Sequence, residues 1–145
     1  MKIFFRLIVT LVGIILIWIA MVLGASELTG EVVTLLRPEE DGTTKKVRLW
    51  IVDIDDKTWV EHGTQDSFWI KQLADNSEIS LIRNGEQKKY LASPDFNAHS
   101  IYHQLREEKY GIGDSIIEIT SLGSSSRATC KGVPVRLKLQ MGENL

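Results

Sequence analysis

The sequence predicts an α+β domain built mainly from antiparallel strands with two or three packed helices, preceded by one transmembrane helix. Three observations lead to this fold class. Uncharged residues fill the segment from Leu7 to Ala25, two pairs of short apolar segments are joined by turn-forming residues, and later segments repeat apolar residues at helical spacing. Strands joined by short turns pair antiparallel, because a parallel connection needs a crossover of about a dozen residues.

Size and charge limit the classes of function. The chain has 145 residues and a formal net charge of −2, which suits one domain with a core of its own. Lys2 and Arg6 are the only basic residues before residue 27, so the rest of the chain stands at −4. An acidic domain lacks the basic surface that nucleic-acid binding needs, and we expect no nucleic-acid partner. The single cysteine, Cys130, permits no disulfide within the chain.

The first 26 residues are predicted to be a membrane segment. The 19 uncharged residues from Leu7 to Ala25 would span roughly 30 Å as a helix, the hydrocarbon thickness of a bilayer. A cleaved signal sequence is the alternative, but its apolar core is usually only about 7–15 residues long. We therefore predict a retained anchor over residues 1–26 that contacts lipid through residues 3–25, followed by one domain over residues 27–145. Because Lys2 and Arg6 precede the helix, the domain is expected on the extracytoplasmic, periplasmic side.

The first part of this domain predicts three strands. The β-branched segment from Glu31 to Leu36 is the first, and Pro38 lies in the turn that ends it. The second runs from about Thr44 to Ile54 and has one apolar face. A solvated turn at 53–57 leads into a third strand at Thr58–His62, so these two strands form a hairpin.

A short helix and a second hairpin follow. Asp66 or Ser67 can cap the helix, because either side chain can accept a hydrogen bond from a free N–H group. Ile79–Ile82 is a strand and Gln87–Leu91 is the returning strand. Asn84-Gly85 between them is a strong signal for a two-residue hairpin turn.

The last part of the chain predicts a long helix and a final strand. Ser93 and Pro94 suit the helix start, and Tyr110-Gly111 closes it. Residues 114–122 fit either a short helix or a strand, and residues 134–139 alternate as a strand. The long helix is expected to bury a stripe at i, i+3, i+4 and i+7, made of Ala98, Ile101, Tyr102 and Leu105.

Two histidines on the long helix raise the question of a metal site. His99 and His103 are four residues apart, and Asp95 lies one turn before them. Helical geometry, however, predicts that both histidines face water, away from the buried stripe. A fourth ligand is not evident in the sequence, so we predict a solvated helix face and no metal site.

Basic residues at the start of the second strand and of the first helix suggest a site for an anionic ligand. Lys45, Lys46 and Arg48 begin the strand, while Ser67 and Lys71 begin the helix. Cations and a hydroxyl can hold a phosphate, and nearby tryptophans offer flat surfaces for a ring system. A solvated basic patch over a tryptophan-containing core is the alternative. The sequence has no G-x-S-x-G elbow, P-loop or G-x-G-x-x-G fingerprint.

The order of these segments resembles a known superfamily. The resemblance is carried by DGTTKKVRLWIVDIDDKTWVEHG, DSFWIKQLADNSEISLIRNGEQKKYLASP, REEKYGIGD and VPVRLKL. These segments are similar to the flavin- and deazaflavin-binding split β-barrels, the pyridoxamine 5'-phosphate oxidase-like superfamily. They look closest to the deazaflavin-dependent nitroreductase type. The resemblance extends over residues 32–139 and implies a mostly antiparallel split β-barrel with helices packed on it.

Three short motifs connect the resemblance to a cofactor site. Gly42-Thr43-Thr44-Lys45 takes the place of a Gly-x-x-Arg stretch that contacts the cofactor phosphate in such proteins. Ser67-Phe68-Trp69, with Lys71 two residues on, matches a Ser-x-Trp-basic helix start, and Lys109-Tyr110-Gly111 matches a Lys-Tyr-Gly. One departure is the acidic segment from Arg37 to Gly42, which replaces a Gly-Arg-Lys-Ser-Gly run.

The resemblance implies a membrane-anchored oxidoreductase of the nitroreductase or quinone reductase type. It implies that FMN, or a deazaflavin of the F420 type, is held by Lys45, Arg48, Ser67 and Lys71 against Trp69. It also implies a homodimer with the cofactor at the interface. One alternative is a non-catalytic ligand-binding or structural barrel that has lost its cofactor. A third hypothesis is haem binding, with a histidine ligand supplied by His62 or His99.

Overall fold

The computed structural model describes residues 2–28 and 30–140, and within these ranges the chain forms one closed barrel with helices outside it. The six strands are β1 (Val32–Pro38), β2 (Thr44–Ile54), β3 (Lys57–Glu61), β4 (Glu78–Arg83), β5 (Glu86–Pro94) and β6 (Pro134–Leu139). The helices are α1 (Lys2–Leu28), α2 (Phe68–Gln72), α3 (His99–Tyr110) and α4 (Ile112–Thr120), with a 3₁₀ turn at Phe96–Ala98.

All strand pairs around the barrel are antiparallel. Their order is β1-β2-β3-β6-β5-β4, with β4 returning to β1. Both predicted hairpins are present, β2 with β3 and β4 with β5. Asn84 and Gly85 have φ values of 53° and 79°, as the tight turn between two twisted strands requires. The predicted α+β class and antiparallel barrel are therefore confirmed.

The N-terminal helix α1 is apolar and exposed. Residues Ile3–Met21 form a helix long and apolar enough to cross a membrane, and none of this segment is buried within the protein. The helix contacts α4. α4 and its C-terminal turn carry three exposed apolar side chains, which are Ile112 (77 %), Ile119 (74 %) and Leu122 (95 %).

Alternation along the strands divides the apolar residues between two cores. Leu49 and Ile51 of β2 belong to the inner core, whereas Trp50 and Val52 belong to the outer core beneath α3. The inner core fills the barrel with Val33, Leu35, Ile51, Val60, Trp69, Ile70, Leu73, Ile79, Leu81, Tyr90, Ala92, Val133, Val135 and Leu137. The outer core consists of Val52, Trp59, Ala98, Tyr102, Leu105 and Tyr110, with Trp50 against it.

Tyr110 fastens the end of α3 to the barrel. Its hydroxyl accepts a hydrogen bond from the Ile51 N–H (2.9 Å) and lies 2.7 Å and 2.8 Å from the carbonyl oxygens of Ile51 and Glu31. Its ring stacks on Trp50 at 4.3 Å. Gly30 passes so close that an added Cβ would lie 1.8 Å from the Tyr110 ring. Burial raises the pKa of Tyr110, so the hydroxyl stays protonated.

An ion-pair network lies beside this tyrosine. Arg83 hydrogen-bonds both Glu31 (2.6 Å and 2.9 Å) and Asp53 (2.8 Å and 3.1 Å). Lys109 donates to the Ile51 carbonyl at 2.7 Å and to Glu31 at 2.9 Å. Burial would raise the pKa of Glu31 and of Asp53, but the hydrogen bonds from Arg83 hold both pKa values below their ordinary values. The Lys-Tyr-Gly segment thus joins α3 to β2.

The structure corrects one predicted element and decides between two alternatives for another. The long helix does not begin at Ser93-Pro94, because β5 continues through Pro94, which pairs with Val135. The Asp95 N–H then donates to the Pro134 carbonyl at 2.8 Å, and α3 begins only at His99. Proline is tolerated at this strand end, where no ladder donor is required of it. The ambiguous segment 114–122 is helical over most of its length, as part of α4.

Candidate functional site

Basic side chains from three neighbouring strands meet at one end of the barrel. Arg37 of β1 lies opposite Lys45 of β2 in the register of the sheet. The Arg37 Nη1 atom is 3.1 Å from Nε2 of His62, which follows β3. Because arginine can only donate, Nε2 must accept and the imidazole proton lies on Nδ1. We call Arg37, Lys45 and His62 the basic rim.

The surroundings of His62 keep its imidazole neutral. Burial lowers the pKa of His62, and the charges of Arg37 and Lys45 lower it further, while Glu39 opposes them. A protonated imidazole would face two cations in a half-buried position. The positive charge of the rim therefore comes from its arginine and lysine.

Trp69 and Ser67 lie directly beneath the basic rim. Trp69 Nε1 donates to the His62 carbonyl at 3.2 Å, and the Trp69 and His62 rings are 5.8 Å apart. The backbone at Gly63 (φ 74°) approaches so closely that an added Cβ would lie 2.6 Å from both Ser67 Oγ and Trp69 Nε1. Ser67 precedes α2 as predicted, but its hydroxyl donates to the Thr64 carbonyl instead of capping the helix. Trp69 is only 1 % exposed, so its ring faces are covered by protein.

Three of the five sequence-predicted residues come together at this end, and two lie apart from them. Lys45, Ser67 and Trp69 are at or beneath the rim. Arg48 lies on the opposite face of β2 from Lys45, because residues three apart on a strand point to opposite sides. Lys71 is exposed on α2 and is 3.8 Å from Asp66.

The acidic loop between β1 and β2 borders the rim. Glu39 forms an ion pair with Arg37, and Asp41 accepts hydrogen bonds from the Thr43 hydroxyl and N–H, which lower the pKa of Asp41. A shallow cleft of about 530 Å³ lies along this loop and reaches Lys45. Acidic side chains therefore flank Lys45. They belong to the acidic segment from Arg37 to Gly42, where the sequence departs from the superfamily it resembles.

A larger cleft lies along β5 and β6, away from the predicted residues. Its volume is about 700 Å³, which is in the range of small-molecule sites. Arg136 and Lys138 supply its cations, and Leu91 and Leu139 supply exposed apolar surface. The sequence did not predict this cleft. Residues 134–139 show only the alternation of a strand, and the cleft depends on the pairing of β6 with β5, which is distant in the sequence.

The prediction that His99 and His103 face water is wrong. His103 is 4 % exposed, and both imidazoles point toward Glu61 at the end of β3. The helix is rotated relative to the expected stripe, so that Ile101 is 36 % exposed. Asp95, the third residue of the sequence-based metal question, instead accepts a hydrogen bond from Trp59 Nε1 at 3.2 Å.

Cys130 adjoins the same histidines. Its Sγ is 3.4 Å from Glu61 Oε2, and the Gly132 N–H donates to it at 3.3 Å. Burial raises the pKa of the Cys130 thiol, although the hydrogen bond from Gly132 acts in the opposite direction. The i, i+4 histidine pair was visible in the sequence. Its partners Glu61 and Cys130 were not, since only the fold brings them near.

Comparison with known proteins supports the architecture. No protein-family model and no curated protein sequence matches the chain. Among solved structures, a putative pyridoxamine 5'-phosphate oxidase from Listeria innocua matches with a TM-score of 0.51 at 12 % identity, over 82 % of this chain and 90 % of that chain. HutZ, a haem storage protein from Vibrio cholerae, matches with a TM-score of 0.50 at 14 % identity, over 81 % of this chain and 87 % of that chain.

At such identities the likeness shows the fold and not the ligand. The two proteins are similar to this chain over nearly their whole length. The chain therefore has the split β-barrel fold of the pyridoxamine 5'-phosphate oxidase-like proteins.

Proposed function

We propose that this chain binds a flavin-type cofactor, FMN or a deazaflavin of the F420 type, and acts as a nitroreductase- or quinone reductase-type oxidoreductase. The observation that supports the proposal is the convergence of Lys45, Ser67 and Trp69 at the end of the barrel that carries the basic rim. Lys45, Arg48, Ser67, Trp69 and Lys71 are the proposed cofactor-binding residues.

The donors at this end fit the phosphate of such a cofactor. Lys45 and Arg37 supply positive charge, and Ser67 supplies a hydroxyl, which together suit an oxyanion. Arg37 Nε is buried and has no hydrogen-bond partner among the described residues, so it retains a donor for a ligand oxygen. The lack of a side chain at Gly63 leaves room for the close packing around Ser67.

Each residue would have a distinct role at the ring and phosphate. Lys45 and Ser67 would hold the phosphate, and Arg48 and Lys71 would add charge from the adjoining surfaces. Trp69, being buried, would support the site from beneath and fix the His62 carbonyl. When bound, a flavin or deazaflavin ring supplies the hydride transfer itself. His62 would orient the Arg37 guanidinium through their hydrogen bond.

A non-catalytic barrel that has lost its cofactor is the second candidate. Two observations favour it. Glu39 neutralises part of the positive charge through its ion pair with Arg37. The ring faces of Trp69 are covered by protein, so a cofactor ring cannot stack directly on them. This protein would keep the barrel as a ligand-binding or structural module.

The proposal extends to the cellular setting of the protein. Residues 1–26 would form the anchor and residues 27–145 the barrel domain, held at the bilayer by the apolar helix. Lys2 and Arg6 favour an extracytoplasmic barrel. A homodimer with the cofactor at its interface is part of the same proposal.

Cofactor titration of the full-length, detergent-solubilised protein tests the proposal. FMN and a deazaflavin are added separately, and binding is followed by quenching of cofactor fluorescence. Lys45→Glu should weaken binding at least about tenfold, because it replaces an attractive charge by a repulsive one worth more than roughly 1.4 kcal/mol beside a phosphate. Lys138→Glu is the matched control, an exposed strand lysine that belongs to the β5–β6 cleft.

The outcomes separate the candidates. If neither cofactor binds at micromolar concentration, the redox function is refuted and the non-catalytic barrel remains. If Lys138→Glu weakens binding and Lys45→Glu does not, the cofactor occupies the β5–β6 cleft and the proposed residues are wrong.

A further inference from the structure

Four side chains with metal-binding atoms meet where the end of β3 reaches the start of α3. Glu61 ends β3, His99 and His103 lie on the first turns of α3, and Cys130 lies in the loop before β6. One ligand atom of each residue lies within 4.8 Å of the others. Glu61 Oε1 is 3.3 Å from His103 Nε2 and 3.8 Å from His99 Nε2. Glu61 Oε2 is 3.4 Å from Cys130 Sγ.

Three buried atoms of this cluster lack the hydrogen bonds that burial requires. The side chains of Glu61 and His103 are only 7 % and 3 % exposed. Glu61 Oε1, His99 Nε2 and His103 Nε2 have no hydrogen-bond partner in the described part of the chain. Their separations are short, yet the atoms do not form hydrogen bonds with one another. Unpaired buried polar atoms in a native protein call for an explanation, and an ion between them would provide it.

The separations agree with the geometry of a tetrahedral metal centre. Ligand bonds of about 2.0–2.3 Å to zinc place neighbouring ligand atoms roughly 3.3–3.8 Å apart. The distances from Glu61 Oε1 to Nε2 of His103 and of His99 are 3.3 and 3.8 Å, and Cys130 Sγ lies 3.4 Å from the other oxygen of the same carboxylate, Oε2. Two imidazoles, one carboxylate and one thiolate are also ligand types that zinc accepts. We propose that Glu61, His99, His103 and Cys130 bind one divalent transition-metal ion of the zinc type.

The surroundings of the cluster suit a structural site. Four protein ligands complete a tetrahedron, so no position is left open for a substrate. Gly132 packs against Glu61, where an added Cβ would lie 2.7 Å from its Cγ and Cδ, and the Gly132 N–H holds the Cys130 sulfur. Arg106 lies 3.7 Å from Glu61 Oε2 and forms an ion pair with Asp114, so its charge is compensated. The ion would join β3, α3 and the loop before β6.

Cobalt titration of the full-length protein in detergent tests this site. The protein is dialysed against a chelator, and Co²⁺ is then added while absorbance is recorded. We expect one Co²⁺ per chain, the visible bands of tetrahedral cobalt and a thiolate-to-cobalt charge-transfer band, all bleached when Zn²⁺ replaces Co²⁺. Cys130→Ser should lose the charge-transfer band. His103→Ala should bind the ion at least about tenfold more weakly, since even residues outside the ligand sphere can cost that much.

His62→Gln is the matched control. It removes an imidazole one residue from Glu61, but that imidazole faces Arg37, so cobalt binding should be unchanged. His103→Cys keeps a metal ligand at the same position, so it should strengthen the charge-transfer band. This variant tests the site if circular dichroism shows that His103→Ala does not fold. A wild-type protein that takes up no stoichiometric cobalt, or whose spectrum lacks a thiolate band, overturns the proposal. Unchanged affinity in His103→Ala overturns it as well. In each case the four residues do not together form the proposed metal site.

Discussion

Removal of one hydroxyl group at Tyr110 should measure how firmly α3 is attached to the barrel. The Tyr110 oxygen lies between backbone groups of Ile51 and Glu31. Glu31 precedes Val32, the first residue of β1, so the β1–β2 ladder does not extend to Glu31 and Ile51. The Tyr110 oxygen therefore satisfies backbone groups that this ladder does not reach. In Tyr110→Phe the ring and its stacking on Trp50 remain, so the change isolates the hydrogen bonds.

The magnitude follows from burial. Ile51 is 0 % exposed, so its N–H group loses its partner without gaining water. An unsatisfied buried donor costs about 1–3 kcal/mol, and we expect the free energy of unfolding to fall by that amount. In a domain of this size the midpoint temperature would fall by about 2–8 °C per kcal/mol.

Urea unfolding of the detergent-solubilised protein, followed by tryptophan fluorescence, gives the measurement. Tyr102→Phe is the control, because Tyr102 is a buried tyrosine of the same helix whose hydroxyl makes no hydrogen bond to the barrel backbone in the described ranges. A loss below about 0.5 kcal/mol in Tyr110→Phe, or equal losses in both variants, would refute the reasoning that Tyr110 completes the ladder.

Two further predictions concern the same region. Gly30→Ala places a Cβ 1.8 Å from the Tyr110 ring, so we expect a loss of about 1–3 kcal/mol from overpacking; an unchanged thermal midpoint would contradict this contact. The lowered pKa values of Glu31 and Asp53 mean that their ionised forms stabilise the fold above the ordinary values of 4.5 and 3.8, and this stability is lost as the pH falls through the lower folded values. Arg83→Gln should flatten the dependence of unfolding on pH in that acidic range, and a variant that retains the wild-type slope would show that other groups cause it.

The predictions that succeeded rest on local chemistry. The turn at Asn84-Gly85, the alternation of β2 and the length of α1 each depend on residues close together in the sequence. These signals were sufficient for the antiparallel class, because hairpin turns determine which strands pair. The resemblance then supplied the closure of the strands into a barrel.

The predictions that failed depend on tertiary packing. Ser93 and Pro94 have the composition of a helix start, but the pairing of Pro94 with Val135 extends the strand instead. The orientation of α3 is determined by how its outer-core residues meet β2 and β3, and this rotation buries His103. No spacing in the sequence connects Glu61 with Cys130, so the cluster could be recognised only after the fold was known.

The short connection between α1 and β1 has a consequence for how the barrel can move. Only three residues separate the end of α1 at Leu28 from the start of β1 at Val32, so these two residues lie at most about 14 Å apart even when the connection is extended. If α1 spans a bilayer, as we propose, the barrel would stay close to the lipid surface, with α4 in contact with the anchor. A protein held in this way would encounter membrane-bound partners by diffusion in two dimensions. Molecules dissolved in the same membrane would reach it by a shorter route than molecules in the surrounding water.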